Sequence, residues 1–384
     1  MKTPLSALII FHKEQGMELE IKLKEAGKLA RLTNKTFQFD EKLGLGFYAA
    51  NYFLKTNQIV KAHLPGHEVT MQFFQRSNDM MACGIDESIA LIHTFAVHPE
   101  TLQVEAINDG DIIMANEPVL KITGKYEYFG FLESMIDGIL SRRTSVASNT
   151  MKVLRAAHGK PVFSMADRQD DYHTQTGDGY ASYVAGIRKV STNAQGLWWG
   201  GKGMGTMPHA LIQICDGDIK KAAEAYHKTF PDDPITALID YNNDVVTDTL
   251  MLARHLKGAL NAVRLDTSMA LIDRFFDGKD ISGFDANGVC KELVFGLRKR
   301  LDEEGFQKVK IIVSSGFTAA KIAEFEQAGT PVDMYGVGGA LVPLVVNFTG
   351  DLVRLDGKPQ AKVGRHEMFT EKLAKVPYPI IAQE

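Results

Sequence analysis

Residues 235–268 read ITALIDYNNDVVTDTLMLARHLKGALNAVRLDTS. A short apolar run, Ile235–Ile239, meets the polar stretch Asp240-Tyr241-Asn242-Asn243-Asp244. Apolar residues at helical spacing then predict a helix over Val245–Leu256. A second β-branched run, Ala262–Leu265, follows and ends in Asp266-Thr267-Ser268. This is strand, crossover helix, strand. Such a unit implies parallel pairing, because parallel strands need a long connection between them.

The same alternation extends in both directions. Downstream, a helix is predicted over Asn287–Glu304, a strand over Lys310–Val313, a helix over Ala319–Ala328 and a strand over Val332–Tyr335. Upstream, Pro161–Met165 reads as a strand, Gly179–Gly186 as helical and Lys189–Thr192 as a brief strand. Phe131–Leu140 is amphipathic, and a long helix is expected over Ser145–His158, with Thr144 or Ser145 as its N-cap. Repeated βα units predict an irregular (β/α) barrel over residues 126–345. A doubly wound open sheet is the alternative, weakened because no GxGxxG follows the region's first strand.

Residues 1–125 are mixed. A helix is predicted over Gly46–Thr56, strands over Ile59–Ala62 and Glu68–Phe74, and a strand pair over Ile112–Val119. The apolar run Leu5–Phe11 lacks a signal-cleavage pattern and reads as a strand or an extension of the fold. Residues 346–384 include Leu352–Lys358, with hairpin character, and are expected to return to the N-terminal α/β domain.

Composition excludes several classes. The chain has 384 residues, 45% hydrophobic and 23% charged, with a formal net charge of −4. That balance suggests neither a nucleic-acid nor an anionic-membrane partner. Cys83, Cys215 and Cys290 form no CxxC pair, so neither a zinc site nor a disulfide framework is expected. Three scattered thiols fit a reducing, cytoplasmic location.

The predicted strand ends carry the chemistry, since a barrel gathers its site at the C-terminal ends of its strands. Arg264 and Asp266 lie two apart and so project to one face. The pair fits a site for metal and pyrophosphate, and equally a structural ion pair at a rim. Ser314-Ser315-Gly316 and Gly336-Val337-Gly338-Gly339 let backbone N–H groups converge on a phosphate, or form tight turns. His209, after Gly205-Thr206-Met207-Pro208, fits a phosphoryl acceptor or a capped core histidine. Arg142 and Arg143 fit a phosphate or carboxylate clamp or a solvated basic pair.

In order, Arg-Arg-Thr-Ser (142–145), Gly-Thr-Met-Pro-His-Ala (205–210), Val-Arg-Leu-Asp-Thr (263–267), Val-Ser-Ser-Gly-Phe (313–317) and Gly-Val-Gly (336–338) resemble the nicotinate phosphoribosyltransferase family, among the type II phosphoribosyltransferases. The resemblance runs over residues 45–365. It implies an irregular α/β barrel with an α/β sandwich built from both chain ends, and a homodimer with shared active sites. It implies transfer of phosphoribose from phosphoribosyl pyrophosphate to nicotinate, giving nicotinate mononucleotide and pyrophosphate, with Mg²⁺. It further implies ATP as co-substrate, through a phosphohistidine at His209.

On this resemblance Arg264 and Arg168 orient the base, while Arg142 and Thr144 contact substrate. Asp266 stabilises the ribosyl cation and holds Mg²⁺–pyrophosphate, with Asp240 and Asp244 as further candidates and Asp244 acting through water. Ser315, Gly316, Gly336, Gly338 and Gly339 hold the 5-phosphate, and Tyr52 stacks on the base in the partner subunit. The chain departs from the family pattern at Asp167, where many members carry one of two adjacent arginines. That leaves nicotinamide, quinolinate or another base as an alternative substrate, and a non-catalytic sensor of phosphoribosyl pyrophosphate as a second alternative. A Schiff-base aldolase is disfavoured, because none of the strand ends named above carries a lysine.

Overall fold

In a computed structural model, residues 19–382 are described. The Leu5–Phe11 run lies outside them. The chain forms two compact units, one comprising residues up to Thr144, Trp198–Gly200 and Val346 onward, the other Ser145–Leu197 and Gly201–Val345.

The first unit is an α/β sandwich. Its strands are β1 (Glu68–Phe74), β2 (Met80–Met81), β3 (Gln103–Ala106), β4 (Ile112–Ile113), β5 (Pro118–Lys125), β12 (Thr349–Leu355), β13 (Lys358–Pro359) and β14 (Ala374–Val376). Six of them form one sheet in the order β13-β12-β1-β5-β3-β14. Both chain ends therefore build it, and β1 sits between β12 and β5 in antiparallel register. The tail hairpin turns at Asp356-Gly357, with φ of 49° and 74°. Left-handed values at both turn residues match the twist of two-residue hairpins.

Local expectations fail here in three places. Ile59–Ala62 is not a strand but part of a helix, Asn51–His63. Gly46, with φ of +72°, lies in a turn before that helix rather than starting it. Ile112–Val119 is not a pair, because β4 joins β2 while β5 enters the large sheet.

One helix, Glu133–Ala156, replaces the two segments expected over 131–158. Thr144 and Ser145 are therefore mid-helix and not caps. The unit boundary also falls at 144/145 and not 125/126. The physical reason is burial: Phe129, Leu132, Ile136 and Leu140 belong to the sandwich core.

The second unit holds β6 (Val162–Ser164), β7 (Lys189–Val190), β8 (Ile235–Leu238), β9 (Leu260–Leu265), β10 (Lys310–Val313) and β11 (Met334–Val337). All pair in parallel, in the order β7-β6-β11-β10-β9-β8. The sheet is an irregular, incomplete (β/α) barrel, since β7 and β8 are its two ends. Helices Val245–Leu256, Lys291–Glu303 and Ala319–Gln327 form the crossovers.

Register separates the two faces. Leu265, Val313 and Tyr335 pair across the sheet and are fully buried. The alternate residues project from the opposite face. There Arg264 lies level with Leu238 and Ile312, and Gly336 with Phe163. One pleat beyond Arg264 come Asp240, Asp266 and Ser314, level with Gly336.

Candidate active site

Strand ends β8 to β11 bring these polar groups into contact. His209 opens the helix His209–Ile214 behind Pro208. Its Nε2 lies 3.1 Å from Asp240 Oδ2, with the His209 side chain 43% exposed and that of Asp240 only 7%. Burial raises the Asp240 carboxyl above its usual range, against the lowering pull of His209. Asp266 adds a smaller raising effect, which places the two carboxylates in one electrostatic neighbourhood.

Asp266 is held by a residue that the sequence reading gave only to a phosphate loop. Ser314, 2% exposed, has its hydroxyl 2.7 Å from Asp266 Oδ1 and 3.1 Å from the Leu265 carbonyl. The backbone N–H of Ser314 already donates to that carbonyl at 2.9 Å. A hydroxyl has a single proton, so it is left for Asp266. A clue was available: Ser314 is two residues from Ile312, which is level with Arg264 on the inward face.

The glycines make room for this arrangement. A Cβ at Gly336 would lie 2.6 Å from Met165 Cε and 3.2 Å from Ser314 Cβ. One at Gly338 would lie 2.8 Å from the Met165 carbonyl oxygen and 2.7 Å from Gln169 Nε2. A Cβ at Gly339 would meet only Gln169 Cγ, at 3.7 Å. Ser315 and Gly316 both take positive φ, 73° and 72°, which turns the chain sharply after β10.

Several buried polar atoms near these strand ends have no hydrogen-bond partner: Thr206 Oγ1, Asp240 Oδ1, Arg264 Nε and Thr267 Oγ1. Buried polar groups are normally satisfied, and leaving one unsatisfied costs about 1–3 kcal/mol. These atoms leave hydrogen-bonding capacity that a ligand or water could take up. For a divalent ion, the open donors are Asp240 Oδ1 and the remaining oxygen of Asp266. No cluster of three or more metal-ligating side chains occurs among the described residues. That set suits a hard cation that keeps waters and uses one or two carboxylates plus substrate oxygens.

Other expected site residues sit elsewhere. Asp244 caps the helix Val245–Leu256, accepting from Thr247 N at 3.3 Å. It faces Asp248 and Asp273, and burial pushes Asp273 up to about 6. Arg168 is exposed on the loop after β6. Asp167 accepts from Ser191 Oγ at 3.0 Å, and its carbonyl accepts from Gln175 Nε2 at 2.9 Å. The backbone N–H of Ser191 donates to Gln195 Oε1 at 3.0 Å.

Tyr52, Arg142 and Thr144 belong to the sandwich unit. Tyr52 is 64% exposed. Arg142 is half-buried. Thr144 has no exposed surface, and its hydroxyl bonds the Cys83 backbone at 3.1 and 3.2 Å. This buried bonding gives Thr144 a structural role and corrects its assignment as a substrate contact. Arg143, its neighbour, grips Glu87 in a bidentate pair at 2.7 and 3.0 Å.

Known proteins resemble this chain in sequence and in fold. Residues 51–144 match the family model described as quinolinate phosphoribosyl transferase, N-terminal domain. The nicotinate phosphoribosyltransferase pncB2 of Mycobacterium tuberculosis is 28% identical over 272 residues, covering 68% of this chain and 54% of that protein. Its paralogue pncB1 is 26% identical over 268 residues, covering 67% and 55%. The chain thus spans about half the length of the curated relatives it matches.

Among solved structures, nicotinate-nucleotide pyrophosphorylase from Pyrococcus furiosus superposes with a TM-score of 0.76 at 29% identity, covering 88% of this chain and 85% of that one. Human nicotinic acid phosphoribosyltransferase shares the fold, with a TM-score of 0.64 at 16% identity over 83% of this chain and 77% of that one. In sequence the chain is similar to nicotinate phosphoribosyltransferases and, over residues 51–144, to the quinolinate phosphoribosyl transferase N-terminal domain, and it shares their fold.

Proposed function

We propose that the protein transfers phosphoribose from phosphoribosyl pyrophosphate to nicotinate, forming nicotinate mononucleotide and pyrophosphate in NAD biosynthesis. The observation that carries this reading is the row Asp240, Asp266 and Ser314 at adjoining strand ends, with Asp240 bonded to His209 and unsatisfied atoms beside it. The pyridine nitrogen attacks the anomeric carbon as the bond to pyrophosphate breaks. Positive charge develops on the ribosyl ring. Asp266, fixed by Ser314, stabilises that charge in a partly dehydrated site. Asp240 and Asp266 would hold Mg²⁺, which supplies charge neutralisation to the leaving pyrophosphate when bound.

The loops at Ser315-Gly316 and Gly336–Gly339 would receive the 5-phosphate on backbone N–H groups. Arg264, with its Nε unsatisfied, and Arg168 orient the base. His209 would carry a phosphoryl group from ATP, with Asp240 orienting its ring. Tyr52, exposed on its helix, would serve the active site of a second copy in a homodimer. No described helix is long and apolar enough to cross a membrane, and a cytoplasmic location fits the free cysteines.

The test is a turnover assay with nicotinate and phosphoribosyl pyrophosphate, with and without ATP. Formation of nicotinate mononucleotide supports the reading. Preference for nicotinamide or quinolinate would favour the second reading, which rests on Asp167 standing where many relatives carry arginine. Tight binding of phosphoribosyl pyrophosphate without turnover of any base would point to a sensor.

A further inference from the structure

Phe163 on β6 pairs with Gly336 on one side and with Lys189 on the other. Paired residues of neighbouring strands share a face. Lys189 therefore projects from the same face as Gly336 and Ser314, while Val190 beside it is fully buried on the opposite face. The Lys189 side chain is half-buried. Among the described residues it makes no ion pair and no side-chain hydrogen bond. Several other half-buried cations of this unit are neutralised, although Lys220, Arg264 and Lys321 are not. Lys160 holds Glu326 at 2.8 Å, Lys291 holds Glu324, and Arg298 holds Asp302 at 2.7 Å.

An ammonium drawn out of water and left unpaired is costly unless an anion meets it. Inside this barrel the neighbouring carboxylates are engaged elsewhere. Asp167 is bonded to Ser191, and Asp266 to Ser314. The glycine loops suited to phosphate lie at β10 and β11. Lys189 lies beyond them, across β6 from β11.

We infer that Lys189 is a specificity-determining residue whose ammonium receives the carboxylate of the pyridine base. This rests on the transferase reading above and deepens it. The site keeps a cation for the base although Asp167 has removed one arginine. The base would lie between Lys189 and the sugar, with its carboxylate towards β7 and its ring nitrogen towards the ribosyl carbon.

The test uses the full chain with K189M and K189R, titrated calorimetrically with nicotinate and with nicotinamide in the presence of phosphoribosyl pyrophosphate and Mg²⁺. Loss of a charge-assisted contact should weaken nicotinate binding by about tenfold or more in K189M. Nicotinamide binding should be unchanged, and K189R should restore most of the nicotinate affinity. Equal loss of both bases, or nicotinate binding intact in K189M, overturns the assignment. So does a wild-type protein that binds no pyridine carboxylate. If the wild type binds nicotinate through Lys189 yet forms no nucleotide, the transferase reading fails and the Lys189 assignment stands.

Discussion

The two ends of the parallel sheet are both polar, yet they are built on opposite terms. At the N-terminal end, Tyr335 donates its hydroxyl to Glu326. Lys160 pairs with that same Glu326 at 2.8 Å and donates to the Thr330 carbonyl at 3.3 Å. Asp333 accepts the Ile311 N–H at 2.7 Å. Donors and acceptors there close on one another, with Thr330 Oγ1 the unsatisfied exception among the described residues. At the C-terminal end, Asp240, Arg264 and Thr267 each keep a buried atom without a partner. A closed network stabilises the fold by itself, whereas an open one awaits a ligand. The difference teaches that polarity at a barrel rim signals function only where hydrogen-bonding capacity is left over.

Substitutions at the open end should therefore change activity more than stability. D266N should lower turnover by at least ~10²-fold, as loss of a main electrostatic stabiliser does. Its thermal midpoint should stay close to wild type, which differential scanning calorimetry can check. H209A should abolish stimulation by ATP and leave some ATP-independent synthesis, read by comparing rates with and without the nucleotide. S314A should reduce turnover less than D266N. It should add nothing to D266N in the double variant, since Ser314 acts through Asp266. Additive losses would mean that Ser314 has a separate role.

Gly338→Ala tests the packing beneath the open end. Its Cβ would press on the Met165 carbonyl at 2.8 Å. Backbone yields poorly, so a loss of roughly 1–3 kcal/mol is expected in denaturant unfolding.

The smallest effect concerns the sandwich unit, which carries a polar seam of its own. Burial pushes Glu133 up to about 8 and Asp137 up to about 6. Both are raised carboxyls, so the folded state keeps protons that the unfolded chain has lost. Their contribution is present at acid pH and declines as pH rises from about 4.5 through about 8 for Glu133. E133Q should flatten the fall in thermal midpoint between pH 6 and 9. An unchanged slope would show that Glu133 is not the titrating group.

Much of this was legible in the sequence. The βα alternation from Val162 to Val337 follows from short β-branched runs and helical spacing. The helix Val245–Leu256 and the strand Lys310–Val313 have the limits that their patterns predict. The helix Glu133–Ala156 was hidden because it is rich in Ser, Thr and Asn, which favour caps and turns in isolation. Tertiary bonds override that preference. Ser141 accepts from Phe348 N at 2.9 Å, Ser145 from Val345 N at 3.1 Å, and Asn149 donates to the Pro343 carbonyl at 2.9 Å. These partners lie some two hundred residues away, beyond any local pattern. The bond from Ser314 to Asp266 escaped for a related reason: the spacing of one strand cannot show a bond to the next.

The most direct test is product analysis with nicotinate and phosphoribosyl pyrophosphate, run in parallel on the wild-type protein and on D266N. The account predicts nicotinate mononucleotide and pyrophosphate in equal amounts from the wild type, and a rate at least ~10²-fold lower from D266N. Equal rates from both proteins, or no nucleotide from the wild type with any pyridine base, would contradict it.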